Sequence, residues 1–134
     1  MKKTGFLIGL LLLGACTAER DGGYKEIEAS TVAAMLDAKA SAPLLLDVRT
    51  REEYNEGFIP GATLIPVGEL ESRWGEIEPF KGKDVVVYCH SGVRSTRAAH
   101  LLAAKGFKHV YNYRGGFSGW KGSLRVFAVP KDKT

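Results

Sequence analysis

The run Val85-Val86-Val87-Tyr88-Cys89-His90-Ser91-Gly92-Val93-Arg94-Ser95 carries the residues best suited to chemistry in this 134-residue chain. A β-branched apolar segment ends at a cysteine, a polar loop containing a glycine follows, and an arginine leads into an Ala-rich stretch over residues 95–105. That order reads strand, tight loop, helix. In an open α/β sheet such a loop lies at the carboxyl end of a strand, where ligands bind and backbone N–H groups converge on the loop centre. A thiol titrates near pH 8.5, and a helix N-terminus with a nearby cation turns it into a useful nucleophile by stabilising the thiolate. Cys89 has both beside it. Gly92 permits the chain reversal, and Arg94 offers several N–H donors to an oxyanion. The loop is therefore suited to a thiolate or to an anionic group carried on the sulfur, and Cys89 is expected to be exposed there.

The elements around this loop follow from pattern. Residues 24–28 alternate weakly, as an edge strand does, and Ser30 is placed to cap a helix whose Val32, Met35 and Leu36 share a core face. After Pro43, Leu44-Leu45-Leu46-Asp47-Val48 is apolar without alternation, as expected of a buried parallel strand. Thr50 with Glu53 matches a capping box, predicting a helix over 51–56. Gly57 and Pro60-Gly61 mark a turn, residues 62–65 a short strand, and residues 68–74 a helix with Leu70 and Trp74 on one face. Residues 81–84 turn into the central strand. Ala98, Leu101 and Leu102 form the buried stripe of the next helix, Gly106 ends it, and residues 109–112 make the last strand. This β-α alternation predicts a small doubly wound parallel sheet of about five strands with helices on both faces.

Four ordered motifs resemble those of a known family. Cys89-His90-Ser91-Gly92-Val93-Arg94-Ser95 is similar to the active-site loop of rhodanese-type sulfurtransferases. Leu45-Leu46-Asp47-Val48-Arg49 and Glu53-Tyr54-Asn55-Glu56-Gly57-Phe58-Ile59-Pro60-Gly61-Ala62 stand upstream, and Gly115-Gly116-Phe117-Ser118-Gly119-Trp120 downstream, as in that family. The resemblance covers residues 24–120 and is far more specific than a lone Cys-x4-Arg. One departure is Phe58, where the family usually has His. The resemblance implies a rhodanese-like fold and transfer of a sulfane sulfur from a donor such as thiosulfate to a thiophilic acceptor, with no metal or organic cofactor. Cys89 and Arg94 would be catalytic, His90, Ser91, Gly92, Val93 and Ser95 would bind substrate, and Asp47 and Arg49 would support the loop, most simply as an ion pair. His90 either fills a loop position or draws anions toward the sulfur, and Arg114 is either a rim charge or a substrate contact. His100 and His109 read as surface residues.

The N-terminus carries a separate message. Met1-Lys2-Lys3 precedes an apolar core over residues 6–13 that is too short to span a bilayer stably, so residues 1–15 read as a secretory signal. Leu13-Gly14-Ala15-Cys16 resembles a bacterial lipobox, which implies acylation of Cys16, an 8-residue tether over 16–23, and one domain over 24–134. Thr17 after that cysteine resembles the sorting pattern of outer-membrane lipoproteins. The expected location is thus the cell envelope, lipid-anchored and facing the periplasm. Without residues 1–15 the chain holds 17 Lys and Arg against 15 Asp and Glu, with no basic run, which argues against a nucleic-acid partner. The family resemblance implies a small sulfur-containing anion or thiol acceptor as the partner, and a monomer is expected. With Cys16 acylated, Cys89 is the only thiol left, so no internal disulfide forms.

Three other uses of the loop compete. A Cys-based phosphatase or arsenate reductase needs the same elements, but related loops place five residues between Cys and Arg, where Cys89 and Arg94 enclose four. A redox sensor would need a resolving cysteine, and a tethered binding module would not need the thiol at all.

Overall fold

The computed structural model describes residues 21–122. Cys16, the leader and residues 123–134 of the tail lie outside the described residues. Five parallel strands form one sheet: β1 (Tyr24–Ile27), β2 (Leu44–Asp47), β3 (Thr63–Leu64), β4 (Asp84–Tyr88) and β5 (His109–Tyr113), in the order β1-β5-β4-β2-β3. The helices are α1 (Ala29–Asp37), α2 (Arg51–Glu56), α3 (Val67–Arg73), α4 (Val93–Ala104) and α5 (Gly116–Gly119).

Both faces of the sheet are covered, which is why β2 and β4 read as unbroken apolar runs. Successive side chains of a strand point to opposite faces. Val85, Val87 and Cys89 therefore join Leu46, Leu70, Ala98, Ala99 and Leu102 in one core, beneath α3 and α4. Val86 and Tyr88 join Leu45, Val32, Ile59 and Tyr113 in the other, against which Met35, Tyr54 and Phe117 of α1, α2 and α5 pack. Phe58, at the position where His was expected, is buried in this second core and stacks on Tyr54 with ring centroids 4.2 Å apart.

Several local expectations need correction. Ser30 does not cap α1: the helix begins at Ala29, with Glu28 at the cap position and no side-chain cap bond. Helix α4 starts at Val93, two residues early, so Arg94 and Ser95 belong to its first turn. The residues after α3 continue as a 3-10 segment (Trp74–Phe80) that contains Pro79. Trp74 is half-buried, and the ammonium groups of Lys81 and Lys105 lie 4.6 and 5.7 Å from its ring centre. His109 is exposed, whereas His100, also exposed, meets the Tyr24 ring edge-on at 4.9 Å.

The two central strands are tied together at their carboxyl ends. The Val48 N–H donates to the Tyr88 carbonyl at 3.0 Å, and the buried Tyr88 hydroxyl accepts from the Ile59 N–H at 3.2 Å. Burial first, and the neighbouring Asp47 carboxylate second, push the Tyr88 phenol well above its ordinary range, so it stays neutral. Replacing Tyr88→Phe strands the buried Ile59 N–H. The expected cost is about 1–3 kcal/mol of stability, measured by denaturant unfolding, with an unchanged fold by circular dichroism.

Candidate active site

Strands β2 and β4 are neighbours, yet the helices that follow them cover opposite faces, so their loops diverge and leave a crevice at the carboxyl end of the sheet. The loop from Cys89 to Gly92 occupies that crevice. Its shape is imposed by the start of α5: the Phe117 N–H donates to the Cys89 carbonyl at 2.8 Å and the Ser118 N–H to the His90 carbonyl at 3.1 Å. Gly116 allows this approach. Its φ is +63°, and a Cβ there would come within 2.5 Å of the His90 carbonyl oxygen.

With these carbonyls held outward, the loop's N–H groups are left to face the sulfur. Gly92, at φ +102°, reverses the chain and donates its N–H to Cys89 Sγ at 3.0 Å. The buried Ser95 hydroxyl oxygen lies 3.5 Å from the sulfur. Burial of Cys89 works against the thiolate, but hydrogen bonding from the Ser95 hydroxyl and from the N–H groups of Ser95, Gly92 and Ser91 outweighs it, so the thiol pKa falls below its ordinary value.

Ser95 has one proton to give. While the sulfur is a thiol, the S–H points to Ser95 Oγ and the hydroxyl donates to the Gly92 carbonyl at 3.2 Å. When the sulfur ionises, the hydroxyl proton turns to it, and the Gly92 carbonyl keeps the Thr96 hydroxyl at 2.8 Å and the Thr96 N–H at 3.1 Å. The buried Asn112 side chain donates to the Thr96 hydroxyl at 3.1 Å and so ties the start of α4 to β5.

Two guanidinium groups stand at the rim, and both are occupied. Arg49 is buried, donates to the buried Asp47 carboxylate at 2.7–3.1 Å and to the Gly57 carbonyl at 2.7 Å, and lies over the Phe117 ring at 4.1 Å. Arg94 forms a two-pronged pair with Glu53, each N–O distance 2.9 Å. Hydrogen bonding to Arg94 holds the Glu53 carboxyl below its usual value. The pair's contribution to stability is therefore full above the unfolded-state pKa of Glu and is lost as pH falls through the lowered folded value. With both side chains about one third exposed, it is worth less than about 1 kcal/mol.

An open depression of about 610 Å³ leads to the loop, lined by Arg49, Glu53, Glu56, His90, Ser91, Arg94 and Phe117. Of the residues singled out by sequence, His90, Ser91 and Arg94 line its wall, while Cys89, Gly92 and Ser95 are buried in the loop and the first turn of α4 and do not line it. Val93 is 79% exposed and lies outside this lining, because the first turn of α4 points it to solvent. Cys89 itself is only 1% exposed, a correction that follows from the loop closing over it. Arg114 packs behind the loop, near enough that a Cβ on Gly92 would meet its Cγ at 2.7 Å, and lines a separate depression with Glu26 and Tyr113. Glu53, Glu56 and Phe117 are the wall residues that sequence reasoning left unassigned. Glu53 was explained by its capping position, and the Thr50 hydroxyl does accept its N–H at 3.2 Å, but its carboxylate turns to Arg94 instead of closing the box.

The sheet order and this loop define a class, and comparison with known proteins agrees. The rhodanese-like domain model matches residues 28–123, and the chain belongs to that family. It is 39% identical to a sulfurtransferase of Allochromatium vinosum over 71% of this chain and 86% of that protein. It is 35% identical to the thiosulfate sulfurtransferase PspE of Escherichia coli over 66% of this chain and 77% of that protein. Against the Bacillus subtilis proteins YrkF and YqhL it is 36% and 42% identical and spans only 57% and 64% of their lengths. The rhodanese-like domain of the Anabaena Alr3790 protein superposes with a TM-score of 0.68 at 29% identity, covering 81% of this chain and 86% of that one.

Because hydrogen bonding is what lowers the thiol pKa, Ser95→Ala removes its largest favourable contributor. Alkylation of Cys89 by a neutral iodoacetamide-type reagent is expected to shift its midpoint to higher pH while the unfolding temperature stays within a few degrees. An unshifted midpoint would show that the hydroxyl does not reach the sulfur.

Proposed function

We propose that this protein is a sulfurtransferase that carries a sulfane sulfur as a Cys89 persulfide. The observation that carries the reading is the set of polar groups around one buried sulfur: the Gly92 N–H donating at 3.0 Å, the Ser91 and Ser95 N–H groups, and the Ser95 hydroxyl, which accepts from the thiol at 3.5 Å and turns its proton to the thiolate. The cradle has the scale of a single atom with negative charge on it. Sulfurtransferase activity in two named relatives supports the same assignment.

The step follows from the geometry. The Cys89 thiolate attacks the outer sulfur of a donor such as thiosulfate, a sulfur–sulfur bond forms at Sγ, and the bond to the sulfonate group breaks with its electron pair leaving on sulfite. The persulfide anion is then held by the loop N–H groups as an oxyanion would be. An acceptor thiolate attacks that outer sulfur, and Cys89 departs as the thiolate it was. The lowered pKa raises the thiolate fraction at the start and makes Cys89 a better leaving group at the end. Asp47 supports the chemistry from below by fixing Arg49 against Phe117, the residue whose N–H shapes the loop.

We further propose that the mature protein begins at Cys16, is anchored by acyl chains on it, and works as a monomer on the periplasmic side of the envelope. The Leu13-Gly14-Ala15-Cys16 pattern supports this, and stable attachment requires more than one chain. Among the described residues no helix is long and apolar enough to cross a membrane.

One measurement addresses both proposals. The intact mass of the full chain purified from membranes should lack residues 1–15 and carry acyl groups, and thiosulfate should add the mass of one sulfur that cyanide removes. Retention of an unacylated leader would refute anchoring through Cys16. An unchanged mass after thiosulfate, or an adduct that survives in Cys89→Ser, would refute the persulfide.

A further inference from the structure

We propose that Glu53 is a specificity-determining residue: by occupying Arg94 it screens the site from small anions and directs it toward sulfur carriers whose tails are neutral or cationic. The proposal rests on the sulfur-transfer reading above and narrows its substrate class. Arg94 commits one N–H of each terminal nitrogen to the two Glu53 oxygens at 2.9 Å, a two-pronged pair that offsets its charge although three of its five N–H donors remain. Glu53 is fixed from behind, since its N–H is capped by Thr50 at the start of α2. Arg49 offers no substitute, because Asp47, the Gly57 carbonyl and the Phe117 ring hold it in place.

Counting charge around the mouth gives the consequence. The lining cations Arg49 and Arg94 face the lining carboxylates Glu53 and Glu56, two against two, with the buried Asp47 behind Arg49 and before any contribution from His90. A dianion such as thiosulfate meets no net positive charge there. To take the two-pronged face of Arg94 it must displace Glu53 and break two charge-assisted bonds, and at the remaining N–H groups it meets a cation whose charge Glu53 already offsets. A persulfide or thiol with an uncharged or ammonium-bearing tail needs no displacement, and an ammonium gains the Glu53 and Glu56 carboxylates. The depression of about 610 Å³ is in the range of pockets that take molecules much larger than a five-atom anion.

The chemistry is the transfer already described, with the tail of the thiol as the only variable. An acceptor thiolate forms a bond to the outer sulfur of the Cys89 persulfide, the bond to Sγ breaks, and Cys89 leaves with the electron pair. Cysteamine, mercaptoethanol and mercaptoethanesulfonate differ at the tail by one charge each and serve as probes.

The test uses the full-length, detergent-solubilised protein loaded by thiosulfate. Rates are divided by the thiolate concentration of each acceptor at the working pH. The wild type is expected to prefer cysteamine over mercaptoethanol and mercaptoethanol over mercaptoethanesulfonate. In Glu53→Gln, and likewise in Glu53→Ala, kcat/KM for thiosulfate should rise about tenfold, mainly through KM, and the preference for cysteamine should shrink by a similar factor, the size expected for removing one charge at a partly exposed position. A wild-type preference for the sulfonate-bearing thiol overturns the proposal without any variant. A fall of kcat/KM for thiosulfate in both variants, equal for all acceptors, also overturns it, because Glu53 would then be holding Arg94 in place for the donor. An unloaded wild-type mass after thiosulfate sinks the persulfide itself, and is distinguished from the other failures by the absence of any adduct to transfer.

Discussion

Two backbone hydrogen bonds, from Phe117 to the Cys89 carbonyl and from Ser118 to the His90 carbonyl, are the constraint on which the site depends. A trans peptide is planar, so a carbonyl held outward puts the N–H of the next residue inward. Fixing these two carbonyls therefore aims the His90 and Ser91 N–H groups into the loop, and the reversal at Gly92 adds a third that reaches the sulfur at 3.0 Å. The Gly115-Gly116-Phe117 motif exists to make that contact. A side chain at Gly116 would collide with the backbone of the loop it shapes.

The site balances two opposing effects on one atom. Placing Cys89 at the end of β4 buries it in the core beneath α4, which alone would favour the neutral thiol. The donors around it reverse that preference. Outside the loop the charges are arranged differently, because each cation already has its anion: Arg49 has Asp47, and Arg94 has Glu53. Stabilisation of the reacting sulfur thus comes chiefly from short-range dipoles of the backbone and one hydroxyl, with a smaller charge interaction from Arg94, while the charged groups of the rim face what approaches. This division lets the thiolate be stable without making the entrance a general anion trap.

Much of this architecture was legible in the sequence. Val85-Val86-Val87-Tyr88 and Leu44-Leu45-Leu46 lack alternation because both faces of their strands are covered, and that pattern alone specifies a central position in a parallel sheet. The loop was legible because its strand-loop-helix pattern stands in order with three further motifs, which together are far more specific than Cys-x4-Arg alone. Burial of Cys89 was not, because it depends on the side chain turning into the core beneath α4 and on a loop curvature fixed by hydrogen bonds from α5, which begins 27 residues further along the chain. Nor was the role of Glu53. A local rule already explained that residue as a cap, and its partner Arg94 lies 41 residues further on, so only the fold brings the two together. Ser30 failed as a cap although its type was right, because the helix begins one residue before it.

The central claim is that hydrogen bonding in the folded loop overcomes the burial of Cys89. It is tested most directly by following the rate of Cys89 alkylation against pH in the native protein and again in the same protein unfolded in urea, with Cys16 replaced by serine so that Cys89 is the only thiol. The account predicts a lower midpoint in the native state than in the unfolded chain. A native midpoint equal to or above the unfolded one would mean that burial wins, and that the loop does not hold a thiolate.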